Sequence, residues 1–288
     1  MKIILCSNPF RDKGLKAALA AQAILSGSGV ETVMCLPFLA DAEIPVDLPH
    51  IQEMQEMSTA LPGADMMVCF GGDGTILHAA KYADSFGIPI LGVNMGSMGF
   101  MAELEHSEMH KLTRLSAGMY TIECRMMLDV VVKRGCRTLK RELALNDAVI
   151  TKGGVARVID LSVMGDGVII SNFAGDGVIV STPTGSTAYS MAAGGPIVEP
   201  TAENIIITPI CAHTLQAKSL VLGRDRNISI SICSQSRKVA YLSVDGGKAF
   251  KLYFGDRVEV TRSEHQTKLI RLSDRSFYEI VNQKLGKA

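Results

Sequence analysis

A chain of 288 residues has room for one large domain or two of ordinary size, each able to bury a real core. Lysine plus arginine and aspartate plus glutamate both number 29, so no net charge draws the chain toward nucleic acid or an anionic membrane, which argues against a polyanion-binding protein. The seven cysteines are scattered, odd in number and without a C-x-x-C pair; they read as reduced, mostly buried thiols of a cytoplasmic protein rather than a disulfide frame or a zinc site.

The apolar run Lys2 to Cys6 stops at Ser7-Asn8-Pro9, too short for an export signal, and reads as a first buried strand. From Gly14 to Leu25 an alanine-rich segment with apolar residues at three-to-four spacing predicts a helix, stopped near Gly27 and Gly29. Val30 to Leu36 comes next as a strand, and residues 37–62 hold prolines and a mixed segment without a clear period. Met66 to Phe70 predicts a strand running into Gly71-Gly72-Asp73-Gly74-Thr75, and Ile76 to Ala83 a helix. Ile88 to Val93 is a further apolar run, ending in Asn94-Met95-Gly96-Ser97-Met98-Gly99-Phe100. Alternation of this kind implies parallel strands with crossover helices, and ligands then bind at the carboxyl ends of strands, where both glycine-rich loops lie. No apolar stretch reaches the roughly 18 residues that span a bilayer, so a membrane is not an expected partner.

From about residue 120 the texture changes. Leu128 to Val132, Arg157 to Val163 and Asn227 to Ile232 have period-two character, and Gly165-Asp166-Gly167, Gly175-Asp176-Gly177 and Asp245-Gly246-Gly247 predict tight turns between antiparallel strands. The expected organisation is an N-terminal Rossmann-like α/β domain over residues 1–118 and a C-terminal β-rich, β-sandwich-like domain over 119–269, with residues 270–288 returning to the first.

The stretch Phe70 to Thr75 carries the strongest chemical signal. Gly71, Gly72 and Gly74 let a bulky ligand approach the main chain, and the amides opening the next helix favour an anion such as phosphate. Asp73 is then a carboxylate beside a phosphate site, where negative charge is unwelcome unless it binds a metal or takes a proton. Asp-Gly is also a common turn dipeptide, so the pentapeptide needs support from the rest of the chain. A second informative stretch runs from Asp176 to Pro196. An apolar strand enters Pro183-Thr184-Gly185, Ser186 or Thr187 stands where a helix N-cap belongs, and small residues come after it. Thr187, Ala188, Ser190, Met191 and Ala192 could line a flat slot for a base or ribose, with Tyr189 as a stacking face. Asn146-Asp147 offers an amide and a carboxylate suited to ribose hydroxyls, although Asn-Asp is also common in turns.

Gly71-Gly72-Asp73-Gly74-Thr75, Asn94 to Phe100, Asn146-Asp147 and Asp176 to Gly195, in this order, resemble the NAD kinase family, with a weaker echo at Ser243-Val244-Asp245-Gly246. The first motif alone is shared with diacylglycerol and sphingosine kinases; T-P-T-G-S-T-A-Y-S is much more specific. The resemblance implies an active site between the two domains and Mg²⁺-dependent transfer of the ATP γ-phosphoryl group to the 2′-hydroxyl of the adenosine ribose of NAD. It implies Asp73 as the general base and Gly72, Gly74 and His78 beside the phosphates. Asn146, Asp147, Arg157, Ala174, Asp176 and Thr187 to Ala192 would line the dinucleotide, with Asp245 a weaker candidate. A homodimer or homotetramer through the β-rich domain is implied as well. The family usually carries Asn-Glu where this chain has Asn146-Asp147, which keeps the charge and shortens its reach by one methylene. No G-x-x-x-x-G-K-[ST] occurs and no lysine lies between Phe70 and Lys81, so a divalent metal brought by ATP, with backbone amides, must neutralise the phosphates rather than a metal site of the protein's own.

Overall fold

Apolar runs with no polar side of their own form strands buried on both faces, and the first third of the chain is built on three of these. The computed structural model describes residues 1–35, 54–96, 99–154, 157–214, 216–233, 239–273 and 275–286. Its elements begin with β1 (Lys2–Ser7), α1 (Lys16–Gly27), β2 (Glu31–Cys35), α2 (Met57–Ala60), β3 (Met66–Gly71), α3 (Asp73–Ala83), β4 (Ile90–Asn94), β5 (Leu104–Glu105) and α4 (Thr113–Ser116). The strands β6 (Thr121–Arg134), β7 (Arg137–Ala144), β8 (Asp147–Lys152), β9 (Ile159–Gly165), β10 (Val168–Gly175) and β11 (Gly177–Ser181) come next. After α5 (Tyr189–Ala192) come β12 (Asn204–Ile210), β13 (Leu220–Gly223), β14 (Ile228–Ile232), β15 (Ala240–Val244), β16 (Phe250–Leu252), β17 (Asp256–Arg271) and α6 (Phe277–Leu285). Most of the segment 37–62, which has no clear period in the sequence, lies outside the described residues.

Two compact units result, Met1–Cys124 with Thr267–Ala288, and Arg125–Gln266. In the first, β2, β1, β3 and β4 lie side by side in parallel, and β17 joins β4 through Leu269 opposite Ile90. β1, β3 and β4 are almost wholly buried. Because β1 leads outward to β2 while β3 starts on its other side, the strand order reverses between β1 and β3, and a crevice at their carboxyl ends is the expected ligand position. The loop Gly71–Gly74 is at that point. The helix predicted from Gly14 starts instead at Lys16, because Gly14 and Leu15 take left-handed backbone conformations (φ 67° and 54°). The buried Asp12 side chain then accepts hydrogen bonds from the amides of Ala17 and Ala18 at 2.9 and 3.1 Å.

The second unit is a β-sandwich. One sheet runs β13-β12-β11-β8-β15-β16, antiparallel throughout. Facing it are β10, β9, β14 and the first part of β17, with β6 and β7. Alternate residues such as Ile150, Val178 and Ile205 meet Leu161, Val163 and Ile230 in one core. Asp166-Gly167 and Asp245-Gly246 form the expected hairpin turns, with positive φ at both residues of each. Gly175-Asp176-Gly177 does not. It carries the chain from β10 in one sheet to β11 in the other, and neither glycine has space for a side chain: a Cβ at Gly177 would lie 2.1 Å from the Ile150 carbonyl. The cysteine expectation also needs correction. Cys6, Cys35 and Cys69 are buried, and burial pushes all three thiols up, Cys35 to about 12. Cys124, Cys136, Cys211 and Cys233 are exposed. Among the described residues no helix is long and apolar enough to cross a membrane.

Glu103 holds the first unit together across the length of the chain. Its buried carboxylate accepts from the Leu272 and Ser273 amides (2.9 and 2.8 Å) and the Ser273 hydroxyl (2.6 Å), and pairs with Arg271 at 3.1 Å, which also reaches Glu123. Glu103→Ala would strand these donors. Removing one partner of a buried pair costs about 3 kcal/mol or more, so the variant should unfold at clearly lower urea; an unchanged midpoint would show that the network contributes nothing.

Candidate active site

Thr75 makes the loop after β3 tight. It folds back over the glycines, its amide donating to the Gly72 carbonyl at 2.9 Å, and a Cβ at Gly71 would lie 2.1 Å from its hydroxyl. Gly72 and Gly74 differ: no described residue lies within 4 Å of where their side chains would be, so among the described residues the main chain there is open to a ligand. The first-turn amides of the eleven-residue α3 and its dipole add attraction for an anion. Asp73, the first residue of that helix, is not loose. Its Oδ2 accepts from the Phe100 amide at 2.8 Å and its Oδ1 from the Met101 amide at 3.1 Å. The two glycine-rich loops are joined again by the Met95 amide on the Gly71 carbonyl (2.9 Å). Asn94 holds the second loop, its side chain bonding Gly96 and Glu105. His78 lies on the exposed side of α3.

A second cluster forms in the β-sandwich unit. Asp245, in its hairpin turn, accepts three main-chain hydrogen bonds: from Leu145 (2.9 Å), Asn146 (2.8 Å) and Asp147 (3.0 Å). Thr182 grips the same turn from the other side, its amide donating to the Asn146 carbonyl at 2.9 Å and its hydroxyl to Leu145 at 2.5 Å. Gly185 presses on it so closely that a Cβ would lie 2.1 Å from the Asn146 carbonyl oxygen. Within this packing Asn146 Oδ1 and Ser181 Oγ are buried with no hydrogen-bond partner among the described residues, and a buried acceptor without a donor is costly. Asp147 is buried as well; loss of water and the neighbouring Asp245 push its carboxyl up to about 7.

The remaining sequence candidates divide. Thr187 to Ala192 come shortly after Gly185: Tyr189 is exposed, whereas Ser190 is buried and bonds Thr208 at 2.9 Å. The expected N-cap at Ser186 or Thr187 is absent. Residues 184–187 form a 3-10 turn in which Ser186 Oγ donates to the Pro183 carbonyl at 2.6 Å, and Thr187 Oγ1 to that of Thr184. Asp176, Ala174 and Arg157 are not gathered with Asn146-Asp147. Asp176 pairs with Lys152 at 2.6 Å, at the far end of β8, five residues or roughly 17 Å from Asp147. Ala174 lies on β10 and Arg157 is exposed. The sequence reading missed the amides of Phe100 and Met101 and the hydroxyl of Thr182; Thr182-Pro183 preceding a glycine was the available signal for the latter. Among the described residues no group of three or more His, Cys, Asp or Glu could hold a metal ion.

An α/β unit with a glycine-aspartate loop at its switch point, in one chain with a β-sandwich unit, has clear relatives. A model of the ATP-NAD kinase N-terminal domain matches residues 49–120, and one of the ATP-NAD kinase C-terminal domain matches 145–272. The chain is 44% identical over 223 residues to the NAD kinase of Symbiobacterium thermophilum, covering 77% of this chain and 78% of that one. It is 36% identical over 285 residues to that of Ruminiclostridium cellulolyticum, covering 99% and 97%. Yeast NADH kinase complexed with NADH superposes with a TM-score of 0.85 at 26% identity, over 100% of this chain and 88% of that one. An NAD kinase from Archaeoglobus fulgidus in complex with ATP has the same fold, with a TM-score of 0.74 at 23% identity and full coverage of both. The class is that of two-domain kinases acting on nicotinamide dinucleotides. The chain belongs to the ATP-NAD kinase family.

The Asp147 carboxyl has a consequence for pH. An unfolded aspartate titrates near pH 4, the buried one at about 7, so between these values the folded chain holds a proton that the unfolded chain has released. The stability this confers is full below about pH 4 and is lost as pH rises through 7. Asp147→Asn, which stays neutral, should therefore gain melting temperature relative to the wild type between pH 5 and pH 8; a difference independent of pH would mean that Asp147 is ionised throughout.

Proposed function

We propose that the protein is an NAD kinase that transfers the γ-phosphoryl group of ATP to the 2′-hydroxyl of the adenosine ribose of NAD, giving NADP and ADP. The observation that carries this reading is a carboxylate, Asp73, held by two main-chain amides between two glycines whose backbone is open. Phosphoryl transfer asks little covalent work of a protein, which must align the hydroxyl with phosphorus and spread the developing charge. Asp73 takes the hydroxyl proton as general base, and the amides around Gly72 and Gly74, with His78 on the same helix, meet the phosphates. Magnesium or another divalent ion arrives as part of the nucleotide substrate and neutralises phosphate charge.

In the β-sandwich unit, Asn146 Oδ1 and the Asp147 carboxyl take ribose hydroxyls, with Asp147 one methylene shorter than the usual glutamate. The buried acceptor without a donor supports this assignment. Thr187, Ala188, Tyr189, Ser190, Met191 and Ala192 line the dinucleotide beside them, and Arg157, Ala174 and Asp176 are assigned as further contacts on the resemblance. The protein works in the cytoplasm as a homodimer or homotetramer through its β-rich unit. The apolar Val168 and Ile169, 70% and 57% exposed at the start of β10, support such an assembly.

The test is NADP formation from NAD, ATP and Mg²⁺. A well-placed base contributes about 10² to 10⁴ in rate, so Asp73→Asn should lose turnover by that factor while still binding NAD; near-normal turnover would remove Asp73 from the role. Excess chelator should abolish activity, and full activity under chelation would refute the need for a metal-nucleotide substrate.

A further inference from the structure

Gly99 is a glycine for a reason unrelated to backbone conformation. Its φ lies outside the left-handed region, yet a Cβ built on it would lie 2.0 Å from Asp73 Oδ1, 2.8 Å from Cγ and 3.2 Å from Oδ2. Real Cβ atoms do not approach so closely. The next two residues, Phe100 and Met101, donate the amides that hold both oxygens of that carboxylate. Their segment is braced from outside as well. Lys284 of α6 sits 4.1 Å from the centre of the Phe100 ring, and the Glu103 amide bonds the Gly92 carbonyl at 2.9 Å while its carboxylate is fixed by Leu272 and Ser273.

We propose that Gly99 is a positioning residue for phosphoryl transfer: having no side chain, it lets the Phe100 and Met101 amides close on Asp73 and aim its carboxylate at the acceptor hydroxyl. The inference deepens the NAD kinase reading and rests on it. Each carboxylate oxygen has two lone pairs and gives one to an amide, so one on each remains for the hydroxyl. Any larger residue at 99 must push either the carboxylate or the loop aside by about 1 Å, and displacement of that size at a reacting centre costs about 10²-fold in rate.

The experiment compares wild type, Gly99→Ala, Asp73→Asn and the Gly99→Ala/Asp73→Asn double variant for NADP formation, with hydrogen exchange of the Phe100 and Met101 amides measured in these and in Asp73→Ala. Gly99→Ala should lose about 10²-fold in kcat, with KM for NAD and for ATP nearly unchanged. In the Asp73→Asn background the same change should cost almost nothing, because the base whose aim it would disturb is already lost. Exchange at Phe100 and Met101 should accelerate in Gly99→Ala and in Asp73→Ala. Wild-type kcat in Gly99→Ala, equal losses in both backgrounds, or unaltered exchange would each overturn the proposal.

If Gly99→Ala does not fold, Lys284→Ala, which removes the cation over the Phe100 ring, replaces it. Faster exchange at Phe100 with a several-fold lower kcat is then expected, and no change in either counts against the proposal. A wild type that forms no NADP defeats the kinase reading and this role together, whereas an active wild type with an equally active Gly99→Ala defeats the role alone.

Discussion

The hydrogen bonds from the Phe100 and Met101 amides to the Asp73 carboxylate, spanning 27 and 28 residues of sequence, are the interaction on which the first unit's site depends. Glycine-rich loops have few side chains with which to organise themselves. Something outside must hold them, and a carboxylate that satisfies main-chain amides does so with charge-assisted strength. Asp73 therefore has two roles: it shapes the loop after β4, and the loop in return fixes the direction in which its remaining lone pairs point.

The same device recurs. Asp245 collects three amides of the Leu145–Asp147 turn, Glu103 collects two from the chain after β17, and Asp12 collects two at the start of α1. Each joins a segment lacking regular hydrogen bonding to a part of the fold that is rigid on its own account. In a chain with equal numbers of acidic and basic residues, these carboxylates are committed to main chain rather than to surface ion pairs. Asp147 is the contrasting case. It lies beside Asp245, and burial together with that neighbouring charge makes its own charge expensive and pushes its carboxyl up.

The β3, α3 and β4 pattern was legible because burial on both faces leaves an unbroken apolar run and an amphipathic helix leaves a period near 3.6. Asp166-Gly167 and Asp245-Gly246 were legible as hairpins because their left-handed conformations select those residues. Gly175-Asp176-Gly177 has the same letters and a different use, since its glycines answer to the Ile210 and Ile150 carbonyls, which no local pattern reveals. Ser186 departs from expectation for a similar reason: with Pro183 three residues before it, the hydroxyl closes a 3-10 turn instead of capping a helix. In the site, residue types could be read from motifs, but the amide partners of Asp73 and Asp245 could not, because main-chain donors leave no trace in sequence.

The brace at Glu103 also bears on the order in which the protein is made. Arg271, Leu272 and Ser273 leave the ribosome nearly 170 residues after the glutamate they satisfy, once every strand of the β-sandwich unit has been synthesised. Until then the parallel sheet lacks its last strand, and Glu103 faces a place where it cannot be buried without loss. The nascent α/β unit must keep that edge open to water, so the loop carrying Gly99 and Phe100 gains its final support only after the strands of the β-sandwich unit have been made.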